Sequence, residues 1–289
     1  MEKEYERLLS LVNDALDSCF NQSCEQGELL EAMRYSLLAG GKRIRPVLLL
    51  AFCRASGGRE EDAVSAACGI EMLHTYSLIH DDLPCMDDDD LRRGMPTCHK
   101  VYGETNAVLA GDALQSAAFY YVLSSPVSPR QCAEMGMTLA EASGERGMCA
   151  GQYLDTRKEN AVVEESDLTL IHAMKTGALL KAACVMGVQC AGGSDRQLRA
   201  AAGYAEHLGL AFQIMDDVLD VVSTSEELGK TAGSDAQLGK TTFVTLMGVD
   251  RCRKLVEAHT EQAKKALSGA FEDDSFLIWM ADALAERKK

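Results

Sequence analysis

Residues 78–93 read LIHDDLPCMDDDDLRR, so six of the ten positions from Asp81 to Asp90 are aspartate. Carboxylates this crowded repel one another. A folded chain keeps them only as a solvated loop or beside a counter-charge. A second acidic motif, Asp216-Asp217-Val218-Leu219-Asp220, lies within AEHLGLAFQIMDDVLDVV at 205–222. On a helix, residues four apart sit about 40° from each other around the axis, so Asp216 and Asp220 share a face. Leu210, Phe212, Ile214 and Met215 precede them, and Val218, Leu219, Val221 and Val222 follow, which argues for a buried helix rather than an exposed acidic one. Carboxylates there are costly unless they line a wet cavity or bind cations. Oxygen-only ligands suit a hard cation such as Mg²⁺, which keeps waters and takes one or two carboxylates plus substrate phosphates. Neither motif offers the sulfur or imidazole sets of zinc and copper sites, and His80 reads as a hydrogen-bonding or core residue.

The basic residues cluster in a complementary way. Gly40-Gly41-Lys42-Arg43-Ile44-Arg45-Pro46 opens a helix behind a glycine pair, and its amides with Lys42 and Arg45 make a phosphate cradle. Arg92 and Arg93 follow the first aspartates, Lys175-Thr176 sits mid-chain, and Lys230 and Lys240 flank the loop after the second acidic motif. Each alone reads as surface charge. Together, two acidic and several basic clusters imply metal-bridged polyphosphate chemistry. No GxxxxGK[ST] loop is present, which argues against a P-loop nucleotide enzyme.

Helices must position these groups. The five prolines stand at 46, 84, 96, 126 and 129, and the Ala-, Leu-, Met-, Glu- and Lys-rich remainder favours helix. Strand-like alternation is scarce, and Asn-Gly or Asp-Gly hairpin signals are absent. Cys68 to His80 reads as helical, with His74 on one stripe with Asp81. Pro84 ends or kinks that helix, letting Asp87 return toward Asp81 and Asp82 while Asp88 to Asp90 stay solvated. Breaks are expected at Gly57-Gly58, around Pro96, at Ser124 to Pro129, near Glu159-Asn160, at Gly192-Gly193 and from Ser223 to Gly239. The reading is all-α: one domain over 1–289, of about ten helices.

With 289 residues, 47% of them apolar, the chain can bury a sizeable core, and a net charge of −15 argues against general nucleic-acid binding. Eleven scattered cysteines, without CxxC pairs, read as small buried hydrophobes of a reducing compartment. MEKEYERLLS has no apolar signal core, and no window holds the roughly 18 uninterrupted apolar residues of a membrane span. The expectation is a soluble, cytoplasmic protein without stable membrane insertion.

GGKRIRP, LIHDDLPCMDDDDLRRG, LAGDAL, GQYLD, KTGAL, FQIMDDVLD and the GK at 239–240 occur in the order seen in trans-polyprenyl diphosphate synthases. From about residue 28 onward the chain closely resembles the short-chain, bacterial-type farnesyl diphosphate synthases. The resemblance implies an isoprenoid-synthase helical bundle around a central cavity, usually a homodimer. It implies Mg²⁺-dependent condensation of isopentenyl diphosphate with dimethylallyl or geranyl diphosphate, with three Mg²⁺ ions per site. By carry-over, Asp81, Asp87 and Asp216 hold Mg²⁺, with Asp82 and Asp220 as ligands or supports. Arg92, Lys175, Lys230 and Lys240 hold the allylic diphosphate, Gln213 and Thr176 line the site, and Lys42, Arg45, His74 and Arg93 hold isopentenyl diphosphate. Met215 stands where the family often has Gln, and Ser234 where it often has Lys, which bear on the metal surroundings and on closure.

Tyr76 lies five residues before Asp81, about 7.5 Å deeper along the helix, with Ser77 beside it. By spacing alone it is either the floor of a tunnel for the growing tail or an ordinary core tyrosine. An aromatic here resembles the fifteen-carbon-product class, so farnesyl diphosphate is the expected product. The alternatives are a geranylgeranyl diphosphate synthase, a terpene cyclase or head-to-head synthase, which would not be expected to carry GGKRIRP, and a non-catalytic acidic partner, in which one motif should have decayed.

Overall fold

The structure is a computed structural model that describes residues 1–158, 163–222 and 241–287. Among these residues it is almost entirely helical. The helices are α1 (Glu2–Asp17), α2 (Gly27–Leu37), α3 (Ile44–Ala55), α4 (Glu60–Asp81), α5 (Cys98–Tyr102), α6 (Glu104–Leu123), α7 (Pro129–Ser143) and α8 (Met148–Lys158). They continue with α9 (Glu165–His172), a π-helical turn (Ala173–Gly177), α10 (Ala178–Cys190), α11 (Asp195–Val222), α12 (Phe243–Met247), α13 (Val249–Leu267) and α14 (Ser275–Ala285). The count exceeds the expected ten in part because α5 and α12 are single turns of five residues, too short to leave a periodic apolar stripe.

The expected breaks fall between helices at Gly57-Gly58, around Pro96, from Ser124 up to Pro129, which opens α7, and at Gly192-Gly193. Those at Glu159-Asn160 and Ser223 to Gly239 lie outside the described residues. One element differs from the reading. Leu91–Arg92 and Met95–Pro96 form a two-residue antiparallel ribbon, β1 and β2. Its turn is Arg93-Gly94, both at positive φ (54° and 76°), the conformation of a tight hairpin turn that Asn-Gly usually supplies.

The core runs through α3, α4 and α10. Leu48, Leu49, Leu50 and Phe52 of α3 face Ile70, Met72 and Leu73 of α4 and Leu179, Ala183 and Met186 of α10, all buried. Tyr204 of α11 closes it, edge-on to Phe52 at 5.3 Å, and its hydroxyl donates to the Leu277 carbonyl at 2.8 Å. Eight of the eleven cysteines are buried in the apolar interior, as expected of small hydrophobes. Glu165–Cys190, taken as one run of 26 residues, contains an 18-residue window of mean hydropathy 1.3, long and apolar enough to cross a membrane. Its α10 half packs Leu179, Leu180, Ala183, Cys184 and Met186 into this core.

Arg43, inside the basic motif, proves structural. It sits at φ 49° just before α3, and its guanidinium donates to Glu71 of α4 and the Leu37 carbonyl, both at 2.7 Å. Both side chains of the Arg43–Glu71 pair are almost fully buried. Removing one partner of such a pair leaves an uncompensated buried charge. Arg43→Met is therefore expected to lower unfolding stability by about 3–5 kcal/mol, read as a shifted urea midpoint.

Candidate active site

The long helix α4 delivers the first acidic motif. It starts with Glu60, Glu61 and Asp62 against its positive N-terminal dipole and stops at Asp81, where Pro84 disfavours helix at Leu83. The chain then folds back: the Asp87 amide donates to the Asp81 carbonyl at 2.9 Å and the Asp88 amide to the Leu83 carbonyl at 3.2 Å. Asp87 thus returns to Asp81, as the proline break predicted. Burial pushes the Asp81 carboxyl up to about 6, with Asp87 and Asp82 adding and Lys175 and Arg92 opposing. Asp88 and Asp90 are exposed, and Asp90 pairs with Lys100 at 2.6 Å.

Asp82 is more buried and is held by Arg92, whose Nε donates to its Oδ1 at 2.9 Å. The same guanidinium reaches Asp89 at 3.1 Å. Arg92, expected to hold the allylic diphosphate, is thus paired internally with Asp82 and Asp89.

The second basic group converges from three elements. The Arg93 guanidinium, placed by the ribbon turn, donates to the Gly40 carbonyl. Gly41 has φ 116°, and a Cβ there would lie 2.6 Å from the Arg93 guanidinium carbon, so only glycine fits. Arg45 is pulled down to about 10 by burial, and its Nε is buried without a hydrogen-bond partner. His74 of α4 is held well below its ordinary range by burial and then by Arg45, Arg93, Arg43 and Arg92. Burial and an excess of nearby arginine charge, offset in part by Glu71, keep His74 neutral, and with the orphaned Arg45 N–H they make a cluster suited to an anion. Lys42 is exposed, and its carbonyl accepts from the Tyr5 hydroxyl.

The π-helical turn presents Lys175 and Thr176. Its extra residue per turn re-aims side chains from the run of α9 and α10. Gly151 of α8 lets this turn approach: a Cβ there would sit 2.2 Å from the Lys175 amide nitrogen. Lys175 donates to Asp155 of α8 at 2.7 Å, and the Thr176 hydroxyl to Gln213 of α11 at 3.1 Å. Burial opposes the Lys175 charge, but Asp155, Asp81 and Asp87 together raise its pKa above the ordinary lysine value. Asp155 therefore positions the lysine beside the first acidic motif. The GQYLD stretch had been noted without a role for this carboxylate. Asp155→Asn is expected to cost about ten- to a hundredfold in turnover with little change in substrate KM.

On α11 the three aspartates separate. Asp217 is buried and accepts the Phe243 amide at 2.8 Å, capping α12, and Asp220 is also buried. Asp216 is partly open and pairs with Arg287 at 2.8 Å. The Arg287 guanidinium lies 3.7 Å from the Phe212 ring centroid and donates to the Phe212 carbonyl at 2.7 Å. Nothing in the sequence had singled out Arg287. Lys230, Lys240 and Ser234 lie outside the described residues.

Among the described residues no three His, Cys, Asp or Glu side chains converge closely enough to hold an ion unaided. Mg²⁺ typically shares carboxylates with substrate phosphates and waters. The donor set of Asp81, Asp87 and Asp216 is all oxygen, as that ion requires.

The polyprenyl synthetase family model matches residues 26–275. The chain belongs to that family. Curated polyprenyl synthetase relatives include the chloroplastic heterodimeric geranylgeranyl pyrophosphate synthase large subunit 1 of Arabidopsis thaliana, 47% identical and spanning 96% of this chain and 77% of that one. The chloroplastic geranylgeranyl pyrophosphate synthase of Capsicum annuum is 46% identical over 96% of this chain and 76% of its own. Among solved structures, the apo FPP/GFPP synthase of Zymomonas mobilis superposes with a TM-score of 0.88 at 35% identity, covering 98% of this chain and 100% of that one. The geranyltransferase of Legionella pneumophila gives 0.88 at 32% identity, covering 99% and 97%. The all-α isoprenoid-synthase fold and prenyltransferase chemistry implied by the motifs are thereby established. The curated relatives carry the twenty-carbon name, not the fifteen-carbon one expected from Tyr76.

Proposed function

We propose that the protein condenses isopentenyl diphosphate head-to-tail with dimethylallyl or geranyl diphosphate and releases farnesyl diphosphate. The carrying observation is the facing of an acidic pair, Asp81 and Asp87, by Lys175, together with the basic cluster of Arg45, His74 and Arg93. The first is suited to an allylic diphosphate through Mg²⁺, the second to isopentenyl diphosphate.

Bound by Asp81, Asp87 and Asp216, with Asp82 and Asp220 behind them, Mg²⁺ would supply positive charge against the diphosphate as the allylic C–O bond ionises. Lys175, fixed by Asp155, meets the same growing negative charge. The Thr176 hydroxyl and the Gln213 amide, bonded to each other, present fixed dipoles to the cation left behind. Arg45, Arg93, Lys42 and His74 hold the isopentenyl diphosphate so that its double bond attacks. One C–C bond forms, one C–O bond breaks, and the proton lost passes to the departing diphosphate, so no side-chain base is required. Lys230 and Lys240 complete the allylic site in this reading. The unit is one domain, acting in the cytoplasm as a homodimer. Val108, Leu109, Tyr120 and Leu123 of α6 are exposed and suit a second copy.

A second reading has its own support: the names of the curated relatives favour geranylgeranyl diphosphate over the fifteen-carbon product. Against it stands Tyr76, buried on α4 with its hydroxyl 3.6 Å from the Cys149 sulfur of α8. Incubation of the purified chain with isopentenyl and geranyl diphosphates, followed by chain-length analysis, decides between them. Chelation of divalent ions is expected to abolish condensation. Persistence of activity in excess EDTA would sink the metal-dependent mechanism.

A further inference from the structure

Arg287, two residues beyond α14, spans one stripe of α11. Phe212 and Asp216 are four residues apart, and the guanidinium lies over the ring of the first while donating to the carboxylate of the second. Its third contact is the Phe212 carbonyl, and its side chain is only 7% exposed. An arginine used for surface balance would not be held at three points against one helix. Asp216 is the most open carboxylate of its motif, while Asp217 and Asp220 are both buried beside it.

We propose that Arg287 is a resident counter-charge for Asp216, which a divalent cation must displace. The inference rests on the metal-binding reading of Asp216 given above. A carboxylate already paired with a stacked guanidinium offers little to a lone ion. A cation arriving with a diphosphate brings its own further ligands and can compete. Arg287 thereby biases the second acidic motif against metal without substrate. The anchors on Phe212 do not involve Asp216, so they fix where the guanidinium rests.

The test is titration of the full-length protein with Mn²⁺ alone, the free ion read by its electron paramagnetic resonance signal. Arg287→Gln is expected to bind Mn²⁺ about three- to tenfold more tightly than the wild type, the range of losing one partly exposed ion pair. Arg287→Lys keeps the charge without the planar stack and is expected to fall between them. The emission of Trp279, the chain's one tryptophan, checks that each variant is folded. Unchanged or weaker Mn²⁺ binding by folded Arg287→Gln overturns the proposal. The parent reading fails separately, if Asp81→Asn and Asp216→Asn leave wild-type Mn²⁺ binding intact.

Discussion

Asp81→Asn is expected to reduce turnover by about a thousandfold while leaving the metal-free protein at least as stable as the wild type. The loss follows from placement. Asp81 ends α4, Asp87 is hydrogen-bonded back onto it, and Lys175 faces both. An amide of the same shape keeps the packing but cannot share a cation with a diphosphate, so the effect falls on transition-state charge stabilisation. The stability half has a definite sign. Burial raises the folded Asp81 pKa to about 6 from an ordinary 3.8, so the folded state binds more protons than the unfolded one between those values. In the presence of chelator, wild-type stability should therefore fall as pH rises through that window, and the deficit should persist at neutral pH. Asp81→Asn mimics the neutral acid and removes the deficit. Thermal melts of both proteins with EDTA at pH 4 and pH 7.5 should nearly coincide at the lower pH, with the variant melting higher at the upper one. A variant that melts well below wild type at pH 7.5 would show that Asp81 is structural rather than held in reserve for a cation.

What the sequence disclosed, and what it hid, divides by range of interaction. The end of α4 at Pro84 and the return of Asp87 were legible because proline acts on the residue next to it. The shared face of Asp216 and Asp220 was legible only as far as helical spacing reaches: the same helix buries Asp220 and opens Asp216 through packing that spacing does not encode. Arg43 looked like one more cation in Lys42-Arg43-Ile44-Arg45. Only the approach of Glu71 from another helix makes it structural. The ribbon turn at Arg93-Gly94 escaped because its first residue is a strained arginine rather than asparagine, and that strain is what aims the side chain at Gly40. The π-helical turn at Lys175 escaped because one extra residue in a turn barely disturbs a 3.6-residue pattern. Arg287 was invisible for the plainest reason: its partners lie 71 and 75 positions earlier, and no local pattern announces them.

Tyr76→Ala is expected to move the main product from fifteen to twenty or more carbons. Asp81 lies five residues on, about 7.5 Å nearer the site along α4. The neighbouring helix agrees. Tyr76 meets α8 at Cys149, whereas Asp81 interacts with the Lys175 that Asp155 of α8 holds, six residues or about 9 Å further along. Both helices thus place the ring at one depth below the carboxylates. Helical geometry also turns Tyr76 about 140° from Asp81 around the axis, so the ring crosses toward α8 rather than standing under the aspartate, and Ser77 takes the stripe nearer Asp81. The hydroxyl is tied at its far end, 3.6 Å from the Cys149 sulfur of α8. His80 packs edge-on to the ring at 5.6 Å. A ring held between its own helix and α8 cannot swing aside cheaply, which is what a floor under a growing tail needs. Alanine removes both the obstacle and its braces. The stability loss should be about 3 kcal/mol, as for other large-to-small changes at a buried side chain. Tyr76→Met serves as the intermediate-size comparison: its flexible chain should give a mixture of lengths with less loss of stability than alanine. Chromatography of the dephosphorylated products reads the outcome. A wild type that already makes twenty carbons, or a Tyr76→Ala variant that still stops at fifteen, would remove Tyr76 as the floor, and the former would leave the length named in the curated relatives as the product.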